Sequence, residues 1–120
     1  MSVARAPNTL HMVTLHRGSA SRQVYGFHHF MDKDVVMVSI NYRLSVLGNL
    51  YLDRDLAPGN QALRDQIAGL QWVRDNIAQF GGDKDRVTIF GESAGGMSVM
   101  NLVLSPAAAG NQCNHTPSIC

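Results

Sequence analysis

Six apolar residues, Leu63, Ile67, Leu70, Val73, Ile77 and Phe80, recur at spacings of 4, 3, 3, 4 and 3, which places them on one face of a helix. Asn60, just after the turn containing Pro58-Gly59, stands where an N-cap is expected. Gly81-Gly82 predicts the end of the helix, because a left-handed residue satisfies the last carbonyls without a side-chain penalty. The segment from Asp34 to Asn41 is a near-continuous β-branched and apolar run with polar ends. It reads as a central strand of a parallel sheet, covered on both faces. Arg86 to Phe90 reads as another buried strand, and Ala94 to Leu104 as a helix of small and apolar residues. Met12-Val13-Thr14-Leu15 is a further short candidate strand, followed by a loop of glycine, serine and arginine from His16 to Arg22. The order strand, helix, strand, helix predicts an α/β fold: a right-handed crossover on a parallel sheet with flanking helices.

Composition narrows the function classes. The 120 residues carry a formal net charge of +1, with 45% hydrophobic and 16% charged side chains, the make-up of one soluble globular domain at most. Disorder, collagen and coiled coil are excluded. The longest aliphatic stretch, Val35 to Val38, is far short of the roughly 18 apolar residues of a membrane-spanning helix. Ten basic against nine acidic side chains leave no electrostatic footprint for nucleic acid or anionic lipid. Cys113 and Cys120 are too few for a disulfide framework and lack the second pair of a zinc site. His28-His29 have only Asp32 and Asp34 nearby in sequence, so no metal is expected. The N-terminus shows no apolar core of signal-peptide length. From Ser93 onward no side chain is charged apart from titratable His115, and a tail such as Pro106 to Gln112 suggests a truncated chain.

Between the last predicted strand and helix lies Gly91-Glu92-Ser93-Ala94-Gly95, a G-x-S-x-G pattern. The string alone is weak, since average glycine and serine usage would supply it in roughly one chain in twenty-five of this length. Its place carries more weight: a nucleophile elbow requires a strand before the serine and a helix after it. Gly91 and Gly95 stand two residues either side of Ser93, so strand and helix can close without striking the hydroxyl. The helix that follows points its first amides toward the serine, and Ala94 N–H could donate to the oxyanion of a tetrahedral intermediate. The plainer alternative is that both glycines merely permit a tight turn and Ser93 caps the helix.

Several longer motifs surround that site. VVMVSINYRLSVLG (Val35 to Gly48), Ala57-Pro58-Gly59-Asn60, Asp65-Gln66, Leu70-Gln71-Trp72-Val73, Asn76 to Asp83 and Arg86 to Gly96 resemble the type-B carboxylesterases, which include the cholinesterases and the insect juvenile-hormone and detoxifying esterases. The resemblance runs from about Met31 to Pro106. It divides the chain into a poorly matched segment 1–30 with a remnant oxyanion loop, a partial carboxylesterase domain 31–106, and a divergent tail 107–120. It implies a partial α/β-hydrolase fold, a small-molecule carboxylic ester as substrate, no cofactor, and Ser93 as the residue that is acylated and then released by water. Glu92 matches the residue before the nucleophile, not the triad acid. The resemblance also suggests that Asp65 and Asn60 hold the neighbouring loop. Such proteins are several-fold longer and are often secreted or lumenal.

A serine needs a base, and the base an orienting carboxylate, which in α/β-hydrolases follow in the order acid, then histidine. After Ser93 there is no Asp or Glu, and the single later histidine is His115, 22 residues on. Where the family carries a glycine-rich oxyanion run after a histidine, this chain reads His16-Arg17-Gly18-Ser19-Ala20. Either Arg17 replaces a glycine, or the run is deleted and Gly18-Ser19-Ala20 matches a later part of the loop. On both readings the second amide donor is impaired, with Gly18 the remaining candidate. These gaps predict an inactive fragment, poorly soluble or partly unfolded because an apolar strand edge would stay unpaired. Two other readings stand beside it: a non-catalytic cholinesterase-like interaction protein, members of which commonly lack the serine, and a mis-spliced product without function. Trp72, next to the apolar stripe, reads as packing. Asn114-His115-Thr116 is a glycosylation sequon.

Overall fold

In a computed structural model of the chain, residues 8–12, 30, 32–53, 55–91 and 93–109 are described. The elements are β1 (Asn8–Met12), β2 (Val35–Ser39), α1 (Ser45–Asn49), α2 (Gln61–Asn76), β3 (Val87–Phe90) and α3 (Ala94–Leu104). Single 3-10 turns follow α2 (Ile77–Phe80) and α3 (Pro106–Ala108). The sheet has the order β2-β1-β3, with both neighbour pairs parallel. Asn8 pairs with Val35 and Met12 with Ser39 on one side, while Thr9 pairs with Val87 and Met12 with Phe90 on the other.

This order corrects the expectation for β2. The segment is a strand, and Val36, Met37 and Val38 are buried in succession, as covering on both faces demands. It nevertheless lies at the edge of the three-stranded sheet, and β1 is the central strand. The expected first strand, Met12 to Leu15, overlaps β1 only at Met12, and its remainder lies outside the described residues. Three parallel strands, with α1 and α2 lying in sequence between β2 and β3, form the α/β architecture that the pattern implied.

The core is where α2 and α3 meet the sheet. Val36 and Val38 of β2, Val87 and Ile89 of β3, Leu70 and Val73 of α2, Ile77 beyond it, and Val99 and Leu102 of α3 form one buried cluster. The helical stripe is therefore real, but its most buried members also include Ala62 and Gln66, both 0% exposed, while Leu63, Ile67 and Phe80 are half-buried. Trp72 is half-exposed and packs its ring against Phe80 with centroids 5.8 Å apart.

The left-handed backbone appears just before α2 and at the end of the 3-10 turn that follows it. Gly81 has φ 80°, with Gly81 N–H donating to Ala78 O at 3.1 Å and Gly82 N–H to Ile77 O at 3.0 Å, the glycine-terminated ending expected from sequence. Asn60 occupies the N-cap position at φ 56°, yet its side chain makes no capping hydrogen bond. Its carbonyl instead accepts from Arg64 N–H at 3.0 Å. The reason for Asn is conformational: it tolerates the left-handed region far better than β-branched residues do.

Candidate active site

β3 ends at Phe90 and α3 begins at Ala94, so Ser93 occupies the turn between a buried strand and a buried helix. Its backbone lies at φ 53°, ψ −115°, outside the regions comfortable for a residue with a Cβ. Such a conformation costs about 1–3 kcal/mol and persists only where the surroundings impose it. Here Gly91 and Gly95 are buried on either side while Ser93 is exposed. The turn thus lifts one hydroxyl out of a tightly closed junction.

Ser93 does not cap α3 through its side chain. Ser93 holds the N-cap position, and its carbonyl accepts from Met97 N–H at 3.2 Å, but its side chain makes no capping hydrogen bond. A capping serine has extended backbone and turns its oxygen back onto the helix amides. Ala94, Gly95 and Gly96 open α3, so their N–H groups have no intrahelical acceptor and sit at the positive end of the helix dipole. A negative charge developing beside Ser93 would meet these donors.

The loop after β2 is fixed to α2. Arg43 donates from its backbone N–H to Asp65 Oδ2 at 3.0 Å, from Nε to Oδ2 at 2.8 Å and from Nη2 to Oδ1 at 2.6 Å. The Arg43 side-chain hydrogen bonds hold the Asp65 carboxyl below the usual carboxylate range, and the same contact raises the Arg43 pKa. Asp65 therefore does hold the neighbouring loop, as the motif suggested, whereas Asn60 contributes its backbone. Sequence reading missed the partner Arg43 and also the buried pair Gln66 and Ser98, both 0% exposed. A polar residue four positions before Leu70, in register with the apolar stripe, was the available signal for Gln66.

Of the residues singled out from sequence, Ser93, Ala94, Gly91 and Gly95 come together at one turn. Gly18, Glu92, His28, His29, Cys113, His115 and Cys120 lie outside the described residues. Among the described residues no three His, Cys, Asp or Glu side chains are grouped to hold a metal ion. Among them, too, no helix is long and apolar enough to cross a membrane.

The model of the carboxylesterase family matches residues 9–115. The chain is 48% identical over 93 residues to a juvenile hormone esterase of Tribolium castaneum, covering 78% of this chain and 16% of that protein. It is 46% identical over 93 residues to acetylcholinesterase 1 of Caenorhabditis elegans, covering 77% and 15% of the two chains. Among solved structures, the juvenile hormone esterase from Manduca sexta, crystallised with OTFP covalently attached, is similar with a TM-score of 0.84 at 38% identity. That likeness covers 88% of this chain and 21% of the Manduca chain. The chain thus spans about a sixth of the length of the curated relatives it matches.

Proposed function

The chain belongs to the carboxylesterase family, and from that premise we propose that Ser93 is the nucleophile of a carboxylic-ester hydrolase acting through an acyl-enzyme. The observation that carries this reading is the positive φ of an exposed serine between β3 and α3. Backbone strain at that one hydroxyl has no structural purpose in capping, and a covalent mechanism supplies one. A ligand attached covalently to the similar Manduca enzyme supports the same class of chemistry.

In this mechanism Ser93 Oγ attacks the ester carbonyl carbon and gives up its proton to a base. The carbonyl oxygen becomes an oxyanion, which Ala94 N–H stabilises at the start of α3, with Gly18 N–H as second donor. Removing one such donor typically costs about 3 kcal/mol of barrier lowering. The tetrahedral intermediate expels the alcohol, which takes up the proton, and leaves an acyl-Ser93 ester. Water then attacks the same carbonyl, releasing the acid and restoring the hydroxyl.

No Asp or Glu follows Ser93 to orient a base, and the one later histidine is His115, in the divergent tail. We therefore expect these 120 residues alone not to turn over ester. Hydrolysis of p-nitrophenyl acetate by the purified chain, measured beside Ser93→Ala, tests this. Equal background rates are expected. Steady turnover abolished by Ser93→Ala would show that a working base and acid are present after all, and turnover that survives Ser93→Ala would remove Ser93 from the mechanism.

A further inference from the structure

The backbone of Ser93 has to be held, and most of what surrounds it cannot aim it. Val99 and Leu102 bind α3 to the core, but apolar contact is non-directional. It sets how deep the helix lies and leaves its rotation and sliding loosely determined. A directional tie runs through the buried layer between the helices. Gln66 Nε2 of α2 donates to Ser98 Oγ of α3 at 3.4 Å, across 32 positions of sequence. Both side chains are 0% exposed. Ser98 adjoins Met97, whose N–H bonds the Ser93 carbonyl.

The same amide is only half satisfied, since Gln66 Oε1 is buried and has no hydrogen-bond partner among the described residues. A buried polar atom left unpaired is destabilising, and an apolar residue of similar size would avoid it. The chain thus keeps an unfavourable group on the tie to the helix that follows Ser93, where a purely stabilising selection would place Met or Leu.

We infer that Gln66 is a positioning residue, whose amide, through Ser98, fixes the first turn of α3 in the rotation that keeps Ser93 at its strained, exposed backbone angle. The inference rests on Ser93 being the nucleophile for its purpose. The hold itself is independent of chemistry, so the two can fail separately. Gln66 touches no reacting atom; it acts through α3.

The test is amide hydrogen exchange, read residue by residue, on the full chain and on Gln66→Met, Ser98→Ala and the double variant. In each variant, exchange at Met97 to Met100 is expected to quicken by about tenfold while amides of α2 and β3 keep their rates, because local opening is separable from global unfolding. The double variant should match the single ones, since all three break the same tie. Gln66→Met should melt no lower than the parent. Unchanged exchange in α3 would overturn the inference. So would a rise shared equally by α2 and β3, which marks a merely structural role, or an unsubstituted chain with no protection at these amides. Failure of Ser93 to react with a fluorophosphonate, alongside the expected exchange response, would count against the nucleophile reading alone.

Discussion

Arg43 and Asp65 form a forked pair with a third bond from the Arg43 backbone, at 2.6 to 3.0 Å. The fork joins the loop after β2 to the second turn of α2, the helix whose far face packs into the core. An exposed ion pair contributes little on average, and Arg43 is 53% exposed in its side chain. The backbone donor changes its character, because a carboxylate tied to main chain fixes the loop as well as the arginine.

Acid should therefore loosen this loop. Asp65 is held below its ordinary value in the folded chain, so the unfolded chain binds the proton more readily. Its stabilisation is fully present above the unfolded carboxylate value of about 3.9 and is lost as pH falls through the lower folded value. Melting temperature measured between about pH 5 and pH 2 should fall on acidification. In Asp65→Asn it should start lower and fall less steeply. Parallel curves for the two proteins would contradict this.

Ser93→Gly should stabilise the chain. Glycine relieves a backbone at φ 53°, ψ −115°, worth about 1–3 kcal/mol, against an unfolded-state entropy penalty of about 0.5–1 kcal/mol. A rise in melting temperature of several degrees follows for a domain of about this size. Ser93→Ala keeps its Cβ and should show no such rise. Calorimetry of the two variants separates strain from the loss of the hydroxyl.

Gly48→Ala should be among the more damaging small substitutions. A Cβ at buried Gly48 would lie 2.2 Å from the Arg43 carbonyl oxygen and 3.1 Å from Ala62 Cβ. Backbone cannot yield as a flexible side chain does, so the loss is about 2–3 kcal/mol. At Gly69 the nearest atom is Ile40 Cδ1 at 2.8 Å, a side-chain end that can turn away, and Gly69→Ala should cost less. Urea midpoints of both variants give the comparison.

Val46, Leu47, Leu50, Tyr51, Leu52 and Leu56 are all exposed within eleven positions, Leu47 at 75% and Leu56 at 81%. A concentration of apolar surface on α1 and the loop after it favours self-association. Leu47→Lys with Leu56→Asp should raise the concentration at which light scattering appears while leaving the melting temperature within about 0.5 kcal/mol equivalent. A large fall in stability would mean that these side chains pack in solution.

Long-period and short-range signals were the legible ones. The bounds of α3, the glycine ending after α2 and the position of β3 followed from patterns within a dozen residues, as did the turn that carries Ser93. The place of β1 did not, because Asn-Thr-Leu-His-Met holds only two apolar residues and no β-branched aliphatic one, and becomes a strand through its two parallel neighbours. That non-local pairing also puts β2 at the edge of the three strands. The five-residue α1 is too short to leave a periodic trace. Gln66 was overlooked as a core residue because polarity, rather than helical register, decided its assignment.

The most direct measurement is the site of reaction with a fluorophosphonate, mapped by peptide mass spectrometry on the purified 120-residue chain. If Ser93 is held out as the nucleophile, a slow adduct should form on Ser93 alone and vanish in Ser93→Ala. Label scattered over other serines and tyrosines, or label that persists in Ser93→Ala, would contradict the account.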